Sequence, residues 1–288
     1  MNRRNFLHTS LSVGALSILQ AKAWANPEKK KTVGLQLYTL RDDIQKQGIE
    51  KIIVEIAKLG YKKVENFGYG QGKFFKKTPA EYSQLLKDNG LEPTSGHYLT
   101  GRAGGLDGLS KNWQQIIDDA EAIGQKYAII AYLMPNERKA DDYKQLFELI
   151  NKGEEISKKA GIEMGYHNHD FEFVERIDGE KPYNLLLQNT KIKMEMDMYW
   201  VVKANEKPEE YFMKYPGRFP LWHIKDMANT PEKEFAEVGS GTIDFGSIFK
   251  HAKKAGLKHY FVEQDVCKRP PLESVKMSID YIEKAKWG

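Results

Sequence analysis

Cysteine is nearly missing from this 288-residue chain: a single thiol, Cys267, stands alone. One thiol excludes an internal disulfide framework and any zinc site built on cysteines. No apolar run reaches the roughly 18 residues that a membrane-spanning helix needs, so no membrane span is expected. Charge of one sign is scarce as well, with 44 Lys and Arg against 40 Asp and Glu. A balance so close to neutral offers no concentrated basic face for a phosphate backbone, so nucleic acid is not an expected partner. The 41% apolar content is ordinary for a globular protein and argues against disorder.

The first residues carry most of the positive excess. Met1 to Ala25 combines Arg3-Arg4-Asn5-Phe6-Leu7, an apolar stretch from Leu11 to Leu19, and the small-x-small end Ala23-Trp24-Ala25. A charged start, an apolar middle and a small-residue end are the parts of a cleavable export signal. The arginine pair is of the twin-arginine kind, which carries already folded proteins to the periplasm. Residues 1–25 are therefore expected to be the signal and 26–288 one mature domain. Losing the signal removes Arg3, Arg4 and Lys22 and no acid, which takes the net charge from +4 to +1.

Beyond that point the chain repeats itself. Five times a helical stretch ends in Gly and a short β-branched or aromatic run follows, at Gly60, Gly90, Gly124, Gly161 and Gly256. Gly there is the residue that closes a helix in the left-handed conformation. With the strands that lack a Gly lead-in, eight starts are expected near residues 33, 62, 91, 127, 162, 191, 220 and 259. Strand–helix alternation at this pitch predicts an α/β fold, a (β/α)8 TIM barrel of eight parallel strands. An open doubly wound sheet would instead want Gly-x-Gly-x-x-Gly after its first strand, and Val33–Leu40 is followed by Arg41-Asp42-Asp43. The long segment from Met227 to Asp244 is expected to be a loop over the active site.

A barrel places its chemistry at the C-terminal ends of its strands. Four of the six histidines past the signal fall there: His97, His167, His169 and His223. Glu65, Asp197 and Glu263 end three more strands. Period-2 alternation puts Gly165 with His167 and Glu195 with Asp197 on inward faces, and brings His223 and Glu263 to the same phase. His167, Asp197, His223 and Glu263, from four consecutive strands, can thus converge as two imidazoles and two carboxylates. That donor set suits Mn²⁺, Zn²⁺, Co²⁺ or Fe²⁺ better than Ca²⁺.

At these residues the chain resembles the sugar phosphate isomerase/epimerase superfamily of xylose isomerase-like TIM barrels. The segments that carry the likeness are Leu35-Gln36-Leu37-Tyr38-Thr39-Leu40-Arg41, Gly165-Tyr166-His167-Asn168-His169-Asp170, Glu195-Met196-Asp197-Met198-Tyr199-Trp200, Trp222-His223-Ile224-Lys225-Asp226 and Val262-Glu263-Gln264-Asp265. The resemblance implies one divalent metal ion held by His167, Asp197, His223 and Glu263. Two positions depart from the epimerases, which have a metal-binding Glu at position 167 and a substrate-binding His at position 200. The run of histidines at the fifth strand is closer to the inosose dehydratases.

Such enzymes remove a proton from carbon next to a carbonyl, and the metal ion stabilises the enediolate. The candidate bases are His169, whose ordinary pKa near 6.5 suits the task, and Glu263. Lys225 is placed to meet a developing oxyanion, the alternative being a surface lysine paired with Asp226. His97 and Glu65 are candidates for sugar hydroxyls, and Trp200 and Tyr38 for stacking on the sugar. The leading expectation is a metal-dependent sugar isomerase or epimerase acting on a small-molecule sugar or keto-sugar. A lyase acting on a keto-sugar or 3-keto-glycoside through the same enediolate stands beside it. A non-catalytic periplasmic sugar-binding protein would not need the metal quartet, and a three-zinc endonuclease would need more ligands and a basic groove. Barrels of this group often form dimers or tetramers, so a homo-oligomer is an open expectation.

Overall fold

The computed structural model describes residues 32–102 and 106–287; the expected export signal lies outside the described residues. Eight parallel strands close into a barrel. In chain order they are β1 (Gly34–Gln36), β2 (Lys63–Asn66), β3 (Glu92–Tyr98), β4 (Tyr127–Ile130), β5 (Glu163–His167), β6 (Lys193–Asp197), β7 (Leu221–Ile224) and β8 (His259–Val262). Each pairs with its sequence neighbours, and β1 closes the ring by pairing with β8, Gly34 opposite Phe261. This is the (β/α)8 barrel that the repeat predicts, and every strand starts within two residues of its expected place.

Local chemistry explains the helices between the strands. Ile49–Leu59 buries Ile49, Ile52, Ile53 and Ile56 on one face and ends at Gly60, with φ 105°. The other four lead-in glycines also have positive φ, as helix closure requires. Pro79–Asp88 opens with a full capping box: Thr78 accepts from the Glu81 amide, and the Glu81 carboxylate accepts from the Thr78 amide.

The barrel interior has two kinds of lining. Tyr127, Ile129, Leu221 and Phe261 form an apolar floor separate from the larger core between barrel and helices. Glycines face this floor, and a Cβ at Gly34 would overlap the Phe261 ring while one at Gly165 would overlap Ile129. Two residues further along the same inward faces the lining turns polar, at Gln36, His167, His223 and Glu263. The β2–β3 pairing carries a bulge between Val64 and Glu65. A bulge re-aims the side chain beside it, and Glu65 crosses the barrel interior to reach His223 on β7.

The fit of Gly34 to Phe261 is directly testable. Gly34→Ala is expected to cost about 1–3 kcal/mol through overpacking. Combined with Phe261→Leu, the loss should be smaller than the sum of the two single losses, read from urea denaturation midpoints. Strict additivity would show that the ring and the glycine do not share that space.

Candidate active site

The strand ends bring two overlapping groups of side chains together. The outer one is the expected quartet of His167, Asp197, His223 and Glu263, all buried, with a ligand atom from each within 4.8 Å of the others. His167 Nε2 lies 3.1 Å from His223 Nδ1 and 3.5 Å from Asp197 Oδ2, and His223 Nδ1 lies 2.9 Å from Glu263 Oε2. Two ring nitrogens that close, flanked by two carboxylates, gather four ligand atoms in one place. The donors fit a divalent ion of the borderline class.

Asp197 divides its work between two oxygens. Oδ1 accepts from the Trp200 amide and caps the helix Met198–Lys203, while Oδ2 faces the quartet. Asn168 fixes the strand end behind it: its amide donates to the Asp197 carbonyl, and its side-chain oxygen accepts from the Asp197 N–H. No long-range sequence signal marks Asn168, although it lies inside the His-Asn-His run.

Lys225 is fully buried, and its partners are not those of a surface lysine. Its Nζ lies 2.9 Å from Asp197 Oδ2, 2.8 Å from Glu263 Oε2 and 2.8 Å from Asp265 Oδ2. Burial favours the neutral amine, but these carboxylates overcome it and hold the ammonium well above its ordinary range. Burial would likewise raise the Glu263 carboxyl, and Lys225 and His223 together hold it well below its usual value. Lys225 does not line the cavity above the quartet. Asp226 points elsewhere, accepting hydrogen bonds from the backbone amides of Met227, Gly239, Gly241 and Ile243. Those four bonds fold the loop after β7, and Phe235 of that loop forms one wall of the cavity.

The cavity holds about 670 Å³. Of the expected site residues, Tyr38, His97, His167, His169, Trp200 and Glu263 line it, and Glu65, Asp197, His223 and Lys225 do not. Glu65, expected at a sugar hydroxyl, lies fully buried below, where its Oε2 accepts from Gln36 Nε2 at 2.8 Å and lies 2.5 Å from His223 Nε2. His97 reaches the cavity but is held at 2.6 Å by Glu195. Glu195 and Asp265, which the sequence reading left without a role, both belong to the buried charge cluster.

His169 sits in an aromatic box, with ring centroids 4.9 Å from Tyr132 and 5.4 Å from Trp200. Burial, then the neighbouring His167 and Lys225, keep it well below the ordinary imidazole range and therefore neutral. Its Nδ1 has no hydrogen-bond partner, while its backbone N–H donates to Glu172 Oε2 at 2.8 Å.

The family model for xylose isomerase-like TIM barrels matches residues 53–285. The chain belongs to that family. Two structures of sugar phosphate isomerase/epimerases from Parabacteroides distasonis are similar to it throughout. One is 29% identical with a TM-score of 0.76, covering 90% of this chain and 99% of that one. The other is 32% identical with a TM-score of 0.75, covering 92% and 98%. An inosose dehydratase of Clostridium perfringens is 25% identical over 163 residues, 50% of this chain. That match spans 55% of the relative, about half the length of the curated proteins concerned. Isomerases, epimerases and dehydratases are thus the company this xylose isomerase-like barrel keeps.

Two measurements probe how the site is held. Burial pushes the Glu172 carboxyl up to about 8, against the lowering effect of hydrogen bonds from Tyr166 and the His169 amide. The folded chain therefore keeps a proton that the unfolded chain releases near pH 4.3, and stability must fall as pH rises through the interval up to about 8. Glu172→Gln, which stays neutral, should flatten the fall of denaturation free energy with pH by up to about 1.4 kcal/mol per pH unit. An unchanged slope would place the carboxyl in its ordinary range. Asp226→Ala should speed amide exchange at Met227, Gly239, Gly241 and Ile243 selectively, with the barrel strands still protected.

Proposed function

We propose that this chain is a divalent-metal-dependent sugar isomerase that draws a proton from carbon beside a carbonyl, with His169 as the base. The observation that carries this reading is the placement of His169. It is neutral and lines the same cavity as His167 and Glu263 of the quartet. The two carboxylates that line the cavity, Glu263 and Asp265, are both tied to Lys225 Nζ. One base is enough to carry a proton between adjacent carbons on one face of an enediolate. Epimerisation at a single carbon asks for a second free group on the opposite face, so isomerisation is preferred.

His167, Asp197, His223 and Glu263 would hold the ion, which would supply Lewis-acid stabilisation of the oxyanion. His169 takes the proton, its basic form maintained by the apolar walls around it. Trp200, Tyr38 and Phe235 provide faces on which a sugar ring can pack, and they exclude water. Lys225 holds Asp197 and Glu263 in their ionised form and in place. If residues 1–25 direct export to the periplasm, the substrate is a free sugar or keto-sugar, since periplasmic sugars are typically not phosphorylated.

Elimination is the second reading, and the inosose dehydratase relative favours it. The same proton abstraction leads to loss of a β-substituent when the substrate carries one, as a 3-keto-glycoside does.

Proton NMR in D₂O against a panel of ketoses, aldoses and 3-keto-glycosides tests both. Deuterium should enter at a carbon adjacent to the carbonyl, a chelator should stop the exchange, and added Mn²⁺, Co²⁺ or Zn²⁺ should restore it. His169→Gln should lower kcat/KM about 10²- to 10⁴-fold with bound metal unchanged. Full exchange in His169→Gln would remove the proposed base. A ligand that binds Asp197→Ala as tightly as wild type, without exchange in either, would identify a binding protein instead.

A further inference from the structure

Below the outer quartet lies a second set of donors. Glu65 on β2, His97 on β3, Glu195 on β6 and His223 on β7 also present ligand atoms all within 4.8 Å of one another. Their contacts run through the barrel interior: His97 Nε2 to Glu195 Oε2 at 2.6 Å and to Glu65 Oε2 at 3.3 Å, and His223 Nε2 to Glu65 Oε2 at 2.5 Å and to Glu195 Oε2 at 3.3 Å. Glu65 and Glu195 are wholly buried, and Oε1 of each has no partner. His223 joins the two sets, with Nδ1 in the outer one and Nε2 in the inner one.

Counting charge makes the inner set hard to leave as it stands. Glu65, Glu195, Asp197, Glu263 and Asp265 are five carboxylates in one connected cluster, and Lys225 is its one fixed cation. Among the described residues no lysine or arginine forms an ion pair with Glu65 or Glu195. With one divalent ion on Nδ1, His223 is neutral with its proton on Nε2, so it donates to Glu65 Oε2 but brings no positive charge to the inner set. Against Glu65 and Glu195 there then remains His97, 3.3 and 2.6 Å from their Oε2 atoms. Buried carboxylates without compensation are costly, and a dication would meet the unpartnered Oε1 atoms of Glu65 and Glu195 through ligands of the right type.

We propose that this barrel binds a second divalent ion of the Mn²⁺–Zn²⁺ class, held by Glu65, His97 and Glu195 on the Nε2 side of His223. The inference rests on the outer quartet holding its own metal, as the proposed function requires. Glu65 then has a ligand role in place of the sugar-hydroxyl role its position suggests, and Gln36, donating to Glu65 Oε2, orients it.

Elemental analysis of protein loaded with Zn²⁺ and desalted provides the test. Wild type should carry two equivalents per chain, Glu195→Gln one, and Asp197→Asn fewer than two, with circular dichroism checking that each variant is folded. One equivalent in wild type, unchanged in Glu195→Gln and lost in Asp197→Asn, overturns the second site and leaves the proposed function standing. No retained zinc in wild type overturns both. Should Glu195→Gln fail to fold, anomalous scattering at the zinc edge from wild-type crystals decides the matter. Two peaks flanking the His223 ring support the second site, and a single peak beside Nδ1 refutes it.

Discussion

Negative charge removed from water is the constraint around which the mouth of this barrel is built. Glu65, Glu195, Asp197 and Glu263 are all buried, and Asp265 is mostly so. An isolated carboxylate in such a place would take up a proton instead of staying ionised. Every unusual neighbour answers that problem. Lys225 is carried into the interior with its whole side chain covered, which is tolerable only because three carboxylates meet its ammonium. His97 and His223 stand against the Oε2 atoms of Glu65 and Glu195. The apolar floor of Tyr127, Ile129, Leu221 and Phe261 lies two residues below, so the polar layer rests on packed core and not on water.

The same constraint shapes the cavity above. Trp200, Tyr132 and Phe235 give one side of it a low-dielectric wall, and His169 is held within that wall. A base in water would be tuned by its intrinsic pKa alone. Here the wall and the nearby positive charge of Lys225 act in the same direction, so the ring stays unprotonated, as the proposed reaction requires. Asp197 links wall and charge cluster physically, since one of its oxygens caps the helix that carries Trp200 while the other faces the quartet.

Much of this was legible in the sequence because two periodicities are strong. Gly-closed helices before short β-branched runs mark the strands, and alternation within a strand assigns His167, Asp197, His223 and Glu263 to one convergent face. What alternation cannot supply is depth and distance across a closed barrel. Glu65 shares the inward phase, yet a bulge and the curvature of the sheet carry it to His223, on the far side of the ring, instead of to a substrate. Lys225 next to Asp226 reads as a local pair, but Asp226 is engaged by four backbone amides of the following loop, and backbone partners leave no trace in residue type. Asp265 and Glu195 were visible as acids near strand ends. Only the three-dimensional charge count gives them a purpose.

That count also bears on position 167, a histidine where the resemblance to the epimerases implies a metal-binding glutamate. A sixth carboxylate would add to the negative charge already gathered around one lysine and the imidazoles of His97 and His223. An imidazole contributes a lone pair without charge, so a cation in the outer quartet is neutralised by two carboxylates and not three. Fewer anionic ligands leave more of the ion's charge for an oxygen of the substrate. The exchange removes a carboxylate that could have served as an acid or base, and in the proposed reaction that task falls to His169, two residues on, in a setting that keeps it neutral. Charge balance, ligand choice and the identity of the base are on this view one adjustment, made within the run from His167 to His169.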